Sequence, residues 1–533
     1  MDEVLLRIAS CALCLAFFFA ASVKCLGVLQ QSGYQNKGFF KWLKRKDNLY
    51  FNRLALLSGL LLLSCAVTSL TFSFVGVKTG NALSAFPFVF FCGLFLYADG
   101  KYALKVPLKI TGRVRRLACV YLFILACVLY ILIAVLQWLN VVVGNEIYGV
   151  FAYLPLCFAP MLLPFLLGIS NAAVSPFEKK RNQKFVQSAK EKLKKTEIVR
   201  VGIVGSYGKT SVKNIVKTIL GEKVAVVCTP ESYNTPIGIA KTVFSPEFEN
   251  KQIFIAEMGA RKEGDIAELC EIVEPDYAVF TGVCAQHIQS FGSVEKVFQA
   301  KSEIFRFVKN FAVCGESVQE RVEQLSEQDK KKCVFLSKER VKDVVLGATQ
   351  TEFTLCLAGG EIAVKIKLLG EAAVENIALS ALLCEKMGLT VEEIGRGIEK
   401  IQPIPHRLEV VESGGAYILD DAYNANPEGA KHAVAALKRF AGKKIVVTPG
   451  IVEAGILEEE VNGALGALLV DLDEILLVGD TLIGAVKAGY LAAGGSAEKL
   501  TIVPTLNAAE EKLAEILGEG DAVLFLNDLP DAY

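Results

Sequence analysis

Five long apolar runs crowd the first 170 residues of this 533-residue chain. A helix of about 20 apolar residues crosses the hydrocarbon of a bilayer. The candidate spans are roughly 4–29, 54–77, 83–97, 117–142 and 148–169, the third being the shortest. The first is not a cleavable signal, because Asp2 and Glu3 make its opening acidic and its apolar run is too long. Lys37, Lys41, Lys44, Arg45 and Lys46 lie between the first two runs, and Lys101, Lys105, Lys109, Arg113, Arg115 and Arg116 between the third and fourth. Lys179, Lys180, Arg181, Lys184, Lys190, Lys192, Lys194 and Lys195 follow the fifth, whereas the other two connections hold only Lys78 and Glu146 as charges. The positive-inside rule then places the N-terminus outside and everything after the fifth run in the cytoplasm, a multi-pass protein of the cell membrane. These basic residues would be drawn to anionic headgroups, each by about 1 kcal/mol. No acid or histidine inside the runs marks an ion path, which favours an anchor over a transporter.

The charges divide at the same place. Residues 1–195 carry 23 basic and 7 acidic side chains, net +16, and the remainder carries −16, so overall neutrality hides a basic membrane portion and an acidic soluble one. With 53% hydrophobic and 21% charged residues, the chain is neither disordered nor an ordinary soluble enzyme. The 15 cysteines are odd in number and spread evenly, and several lie inside apolar runs. They read as small buried hydrophobes in a reducing compartment, Cys11 and Cys14 included.

From residue 196 short β-rich runs alternate with amphipathic helical segments, an α/β pattern. The run 198–204 ends in Gly205-Ser206-Tyr207-Gly208-Lys209-Thr210-Ser211, and a helical segment follows over 212–220. A strand, a glycine turn and a helix N-terminus make a phosphate cradle. Its glycines let backbone N–H groups approach phosphate oxygens, Lys209 reaches the β- and γ-phosphates, and the Thr210 hydroxyl suits Mg²⁺. The spacing is a variant of the usual loop, since Ile203 stands where the strict pattern has glycine.

Two further strands end at functional candidates. Residues 252–256 lead to Glu257, and 277–283 lead to His287. Ligands of parallel α/β sheets sit beyond the carboxyl ends of the strands, so Thr210, Glu257 and His287 would converge beside a triphosphate, a set suited to a divalent metal. Taken singly, Glu257 is equally a loop charge and His287 a structural histidine. Residues 293–307 read as one helix with Val294, Val297, Phe298, Ile304 and Phe305 on its apolar face, Lys301 among them, and Glu295, Lys296, Glu303 and Arg306 elsewhere. Two readings of Lys301 stand. It snorkels, or it is held neutral by desolvation and takes up CO₂ as a carbamate able to hold Mg²⁺.

Eight motifs occur in order. They are Gly205–Ser211, Glu231–Pro236, Ala256–Gly259, His287 with Phe291–Ser293, Ala300–Phe305, Glu375-Asn376, His406–Glu409 and Leu419–Pro427. Together they resemble the Mur ligase family over residues 196–533, and within it the MurF branch, which adds D-Ala-D-Ala to the peptidoglycan stem peptide. The apolar runs make a helical transmembrane domain of about five spans at 1–195, and the resemblance implies a central ATP-binding α/β domain at 196–404 and a Rossmann-like C-terminal domain at 405–533. It implies ATP and Mg²⁺, with Gly205, Ser206, Gly208, Lys209, Thr210 and Ser211 on the phosphates. Thr210 and Glu257 would hold one Mg²⁺, and His287 with carbamylated Lys301 the second, so Lys209, His287 and Lys301 are the catalytic candidates. Asn376 would face the adenine, and Arg407 and Asp421 the phosphate and ribose. Asn234, Thr235, Tyr423, Asn424 and Asn426 would lie toward the substrates.

The implied reaction is amide formation. A carboxylate of a muramoyl peptide takes the γ-phosphate as an acyl phosphate, and the amine of an amino acid or dipeptide displaces phosphate. Three departures bear on this. The family's usual UDP-gripping first domain has no counterpart, five runs standing in its place; Ala422 follows the Asp pair where Ser is usual; and the chain ends Asn527-Asp528-Leu529-Pro530-Asp531-Ala532-Tyr533 without the expected Lys-Gly-Ser. The acceptor is therefore either UDP-linked or lipid-linked, and the amino donor is open. A non-catalytic membrane ATP-binding scaffold is the rival class, and it predicts damaged metal positions, whereas Thr210, Glu257, His287 and Lys301 are all present. No nucleic-acid partner is expected.

Overall fold

The computed structural model describes residues 2–44, 49–75, 80–101, 104, 106–143, 154–284, 291–423, 425–452, 454–480 and 482–527. His287 and Asn424 lie outside the described residues. The chain forms two units, one over residues 1–181 and one over 182–528.

The first unit is helical: α1 (Asp2–Gln31), α2 (Asn36–Leu43), α3 (Tyr50–Val75), α4 (Gly80–Gly100), α5 (Gly112–Val143) and most of α6 (Leu154–Lys195). Within the described residues, each of the five apolar runs falls on one of the long helices. Ala12–Gln31, Gly112–Leu132 and Cys157–Lys195 are long and apolar enough to cross a membrane, while Tyr50–Ser64 and Val89–Gly100 are apolar but shorter. Phe18, Leu29, Tyr121, Leu125, Leu163 and Leu167 are fully buried in one core. An ionic cluster belongs to this unit. Asp99, two residues past the third run and near the end of α4, pairs with Lys24 of α1 at 2.8 Å and Arg53 of α3 at 3.4 Å. It ties three helices together, and Lys24 brings a charge into the first run.

The basic stretch after the fifth run is not a free connection. It continues α6 into the second unit, where Ala189 and Leu193 enter the core. Lys192 pairs with Glu249 at 2.7 Å and Lys194 with Glu274 at 3.3 Å, so these lysines meet protein acids.

In the second unit β1 (Val199–Val204), β2 (Val226–Cys228), β3 (Ile253–Glu257), β4 (Tyr277–Phe280), β5 (Phe311–Cys314) and β6 (Cys333–Phe335) form a sheet in the order β2-β3-β1-β4-β5-β6. All its pairings are parallel. β3 and β4 flank β1, so the strand order turns at β1, the place where parallel α/β sheets open a crevice for ligands. The strands read as near-continuous apolar runs because apolar cores cover both faces. The helices that matter for the site are α7 (Lys209–Leu220), α8 (Pro236–Val243), α9 (Asp265–Val273) and α10 (Val294–Ser302). An antiparallel sheet of β7 (Val341–Leu346), β8 (Thr351–Leu357) and β9 (Gly360–Ile366) precedes α11 (Glu371–Lys386).

A second six-stranded sheet, β10 (Glu409–Ser413), β11 (Ala416–Asp421), β12 (Lys444–Thr448), β13 (Glu474–Val478), β14 (Leu500–Val503) and β15 (Ala522–Leu526), runs in the order β10-β11-β15-β12-β13-β14. It is parallel except for the β10–β11 hairpin. α12 (Pro427–Leu437) follows β11, with proline in its first turn and Asn426 as its cap.

Two sequence expectations change. The 293–307 segment is two helices, α10 and a short one over Ile304–Phe307, joined at Glu303. Glu303 is not on a wet face but 5% exposed, because its carboxylate accepts from Gly264 N at 2.7 Å and Ala267 N at 2.8 Å at the start of α9. Those N–H groups have no partner inside their own helix, and the carboxylate satisfies them.

Candidate active site

The cradle forms where β1 runs out. Gly205 has φ +150°, and a Cβ there would lie 1.9 Å from Thr281 Oγ1. Gly208 has φ +74°, and a Cβ there would lie 2.6 Å from Asn376 Oδ1. Both positions require glycine for space and for backbone conformation. α7 starts at Lys209, three residues earlier than the apolar spacing suggests, so Lys209 and Thr210 occupy the first turn beside N–H groups with no helical partner. Lys209 Nζ donates to Gly205 O at 2.7 Å and Ser206 O at 3.2 Å, folding back over its own loop. Burial lowers its pKa, and Glu257 opposes this. Ser206 Oγ is buried and, among the described residues, meets nothing stronger than the Cys284 thiol. A hollow loop with an unspent hydroxyl, an ammonium and free helix-start N–H groups fits a phosphate chain.

Glu257 ends β3 and is 1% exposed. Its Oε2 accepts from Thr210 Oγ1 at 3.0 Å and Lys213 Nζ at 3.1 Å, and its Oε1 from Asn234 Nδ2 at 3.2 Å. Thr210, Glu257 and Asn234 are thus brought together. Thr235 caps α8, its hydroxyl accepting from Gly238 N at 3.3 Å. Among the described residues no three His, Cys, Asp or Glu side chains gather as a metal cluster. A divalent ion here would draw on Thr210 and Glu257, a hydroxyl and a carboxylate of the hard-oxygen type that Mg²⁺ takes.

Lys301 is 2% exposed, on the inner face of α10. Its Nζ donates to Gly205 O at 3.0 Å, the same carbonyl that receives Lys209. Two lysines therefore share one acceptor, and among the described residues no carboxylate pairs with Lys301. Burial and then the Lys209 charge push the Lys301 pKa down to about 7. At 2% exposure the side chain does not snorkel to solvent, and its lowered pKa favours the neutral amine more than for an ordinary lysine.

The loop before β10 supplies Arg407. His406 at φ +61° and Leu408 at φ +53° flank it in the left-handed region, and His406 Nδ1 lies 2.7 Å from Asp420 Oδ2. This costly geometry turns the guanidinium over the Tyr423 ring, 4.1 Å from its centroid. Asp421 is pushed up to about 6 by burial, against the pull of Arg407 and of the Leu408 N–H. Asn426 Oδ1 caps α12 by accepting from Gly429 N at 3.0 Å.

A cavity of about 440 Å³ is lined by the 206–211 loop, Asn234, Thr235, Glu257, Arg407, Tyr423 and Asn426. Gly205, Lys301, Asn376 and Asp421 stand outside that lining; Asn376 lies against Gly208, a cradle contact. Sequence reasoning missed Lys213. It is 1% exposed and sits among Val212, Ile215, Val216 and Ile219 on α7, so the signal was the same as for Lys301, a lysine at an apolar helical position.

A switch-point phosphate cradle, a hydrogen-bonded carboxylate, a buried low-pKa lysine and an arginine from a second α/β sheet define a nucleotide-dependent enzyme of two α/β parts. Residues 203–384 match the Mur ligase middle domain and residues 406–527 the Mur ligase glutamate ligase domain. The chain belongs to the Mur ligase family and is an ATP-dependent ligase of that family. It is 28% identical over 352 residues to the UDP-N-acetylmuramoyl-tripeptide–D-alanyl-D-alanine ligase of Bacillus subtilis, covering 64% of this chain and 75% of that one. To the Escherichia coli ligase of the same name it is 27% identical over 335 residues, covering 60% and 73%. The crystal structure of the MurF ligase of Thermotoga maritima in complex with ADP superposes with a TM-score of 0.57 at 28% identity, covering 65% of this chain and 80% of that one. The helices before residue 203 lie outside the matched domains.

Proposed function

We propose that this chain is a membrane-anchored ligase that joins D-alanyl-D-alanine to a UDP-N-acetylmuramoyl-tripeptide at the cytoplasmic face of the cell membrane, at the expense of ATP. The observation that carries this is the one cavity in which the phosphate cradle, Glu257, the Asn234 loop and Arg407 meet. The relatives named for that reaction support the choice of substrates.

Lys209 and the cradle N–H groups hold the ATP phosphates. The peptide carboxylate attacks the γ-phosphorus, giving an acyl phosphate and ADP. The donor amine then attacks the acyl carbon, and phosphate leaves. Lys209 and Arg407 offset the charge that develops on the transferred group. When bound, Mg²⁺ supplies further neutralisation, held by Thr210 and Glu257 and, for a second ion, by His287 and carbamylated Lys301. Asn234 and Thr235 orient the acceptor; Tyr423, Asn424 and Asn426 border the donor side; Asn376 and Asp421 serve the nucleoside. Closure of the 405–533 domain excludes water from the acyl phosphate.

The five helices carry the anchor, N-terminus outside, with the basic flanks in the cytoplasm. Because the matched domains begin only at residue 203 and helices precede them, a lipid-linked acceptor is the second reading. The test uses full-length protein in detergent and follows phosphate release with ATP and D-Ala-D-Ala. Turnover on UDP-MurNAc-tripeptide supports the first reading, turnover on the lipid-linked peptide alone the second, and none on either overturns both.

A further inference from the structure

Lys213 is the most deeply buried cation of the second unit that the mechanism leaves unused. It lies one turn after Lys209 and Thr210 on α7, 1% exposed. An ammonium in such a place is tolerated only when its donors are matched. Two of its partners are fixed. Nζ donates to Glu257 Oε2 at 3.1 Å, and it donates to the backbone carbonyl of Glu231. Glu231 has φ +42°, rare for a residue with a Cβ, and Lys213 holds the carbonyl of that turn. The segment that leaves the turn carries Asn234, which reaches back to Glu257 Oε1 at 3.2 Å, and Thr235, which starts α8.

One ammonium thus joins three things: the helix of the phosphate cradle, the carboxylate at the end of β3, and the strained turn that launches the 232–235 loop. Ser232, Asn234 and Thr235 of that loop line the cavity, as does Arg407. We propose that Lys213 is a positioning residue for the acceptor, fixing the 232–235 loop in register with the nucleotide end of the cavity; this rests on the ligase reading above. It touches neither phosphate nor acceptor. Without it the Glu231 turn loses its anchor, Asn234 and Thr235 lose their fixed place, and Lys209 and the cradle backbone remain as they are.

The prediction separates two ligands. In full-length protein in detergent, Lys213→Met should keep affinity for a fluorescent ADP analogue within about twofold and weaken binding of UDP-MurNAc-tripeptide at least tenfold. Its KM for that acceptor should rise by the same factor, with kcat changed less. If loss of one partner of a buried pair prevents folding, the double variant Lys213→Met/Glu257→Gln leaves two neutral groups. It is compared with the wild-type chain, and it should lose acceptor binding by the same factor. Unchanged acceptor affinity, or equal losses for nucleotide and acceptor, would overturn the positioning role. Failure of the wild-type chain to bind the acceptor at all would overturn the ligase reading as well, which distinguishes the two failures.

Discussion

Replacing Lys301 with methionine tests the chemistry of the site at its most perturbed group. Two facts set the magnitude: the side chain is 2% exposed, and its amine shares the Gly205 carbonyl with Lys209. With the pKa lowered to about 7, roughly nine-tenths of Lys301 is unprotonated at pH 8; an ordinary lysine near 10.5 would be about 0.3% so, a difference of about 300-fold. Only the neutral amine adds CO₂, so the protein should acquire a carbamate at this one lysine. The assay is carbon NMR of the full-length protein in ¹³C-bicarbonate. A carbamate resonance should grow in through pH 7 and be absent from Lys301→Met. Stability supplies an independent reading. A lysine with a lowered folded pKa binds fewer protons folded than unfolded, so it penalises the fold below about pH 7, and the penalty fades between 7 and 10.5. Lys301→Met should therefore raise stability at pH 6 by at most about 5 kcal/mol, the full shift converted, and less as pH rises. A resonance that survives in the variant, or one that appears only near pH 10, would refute the reasoning.

Gly205→Ala should abolish nucleotide binding in a fluorescence titration with helix content unchanged by circular dichroism, because the new Cβ would meet Thr281 Oγ1 at 1.9 Å in a φ +150° backbone. Asp421 has its pKa raised to about 6, so the folded protein binds more protons than the unfolded one between the ordinary 3.8 and 6, and stability falls as pH rises through that window. Asp421→Asn should gain about 1–2 kcal/mol at pH 7, the full shift trimmed because the carboxyl is only part-buried, and nothing near pH 3.5, measured by urea denaturation. The whole chain should sediment with membranes and resist carbonate extraction, leaving them only in detergent; release by high salt would show that the apolar helices do not span.

What the sequence could and could not reveal follows from how local each determinant is. The three strand runs at 198–204, 252–256 and 277–283 are consecutive apolar stretches, so they fall within a few residues of β1, β3 and β4. The cradle is one contiguous peptide and was readable, although α7 begins three residues before its apolar spacing does, because glycine at 208 and the loop itself start the helix. Glu303 looked like a wet-face charge because its partners, the N–H groups of Gly264 and Ala267, are about 40 positions away. Lys213 and Lys301 make the limit plain. Each is a lysine at an apolar helical position, and spacing shows that each is buried. It does not show the sign of what waits there. Lys213 lies 3.1 Å from the carboxylate of Glu257, whereas Lys301 meets Lys209 and is driven toward the neutral amine. Glu257 ends β3 and Lys209 opens the helix that follows β1, and their arrangement depends on β1 lying beside β3. Two residues with one sequence signature therefore take opposite electrostatic roles within a single site, and exchanging the roles would require moving the carboxylate of Glu257, not altering either lysine.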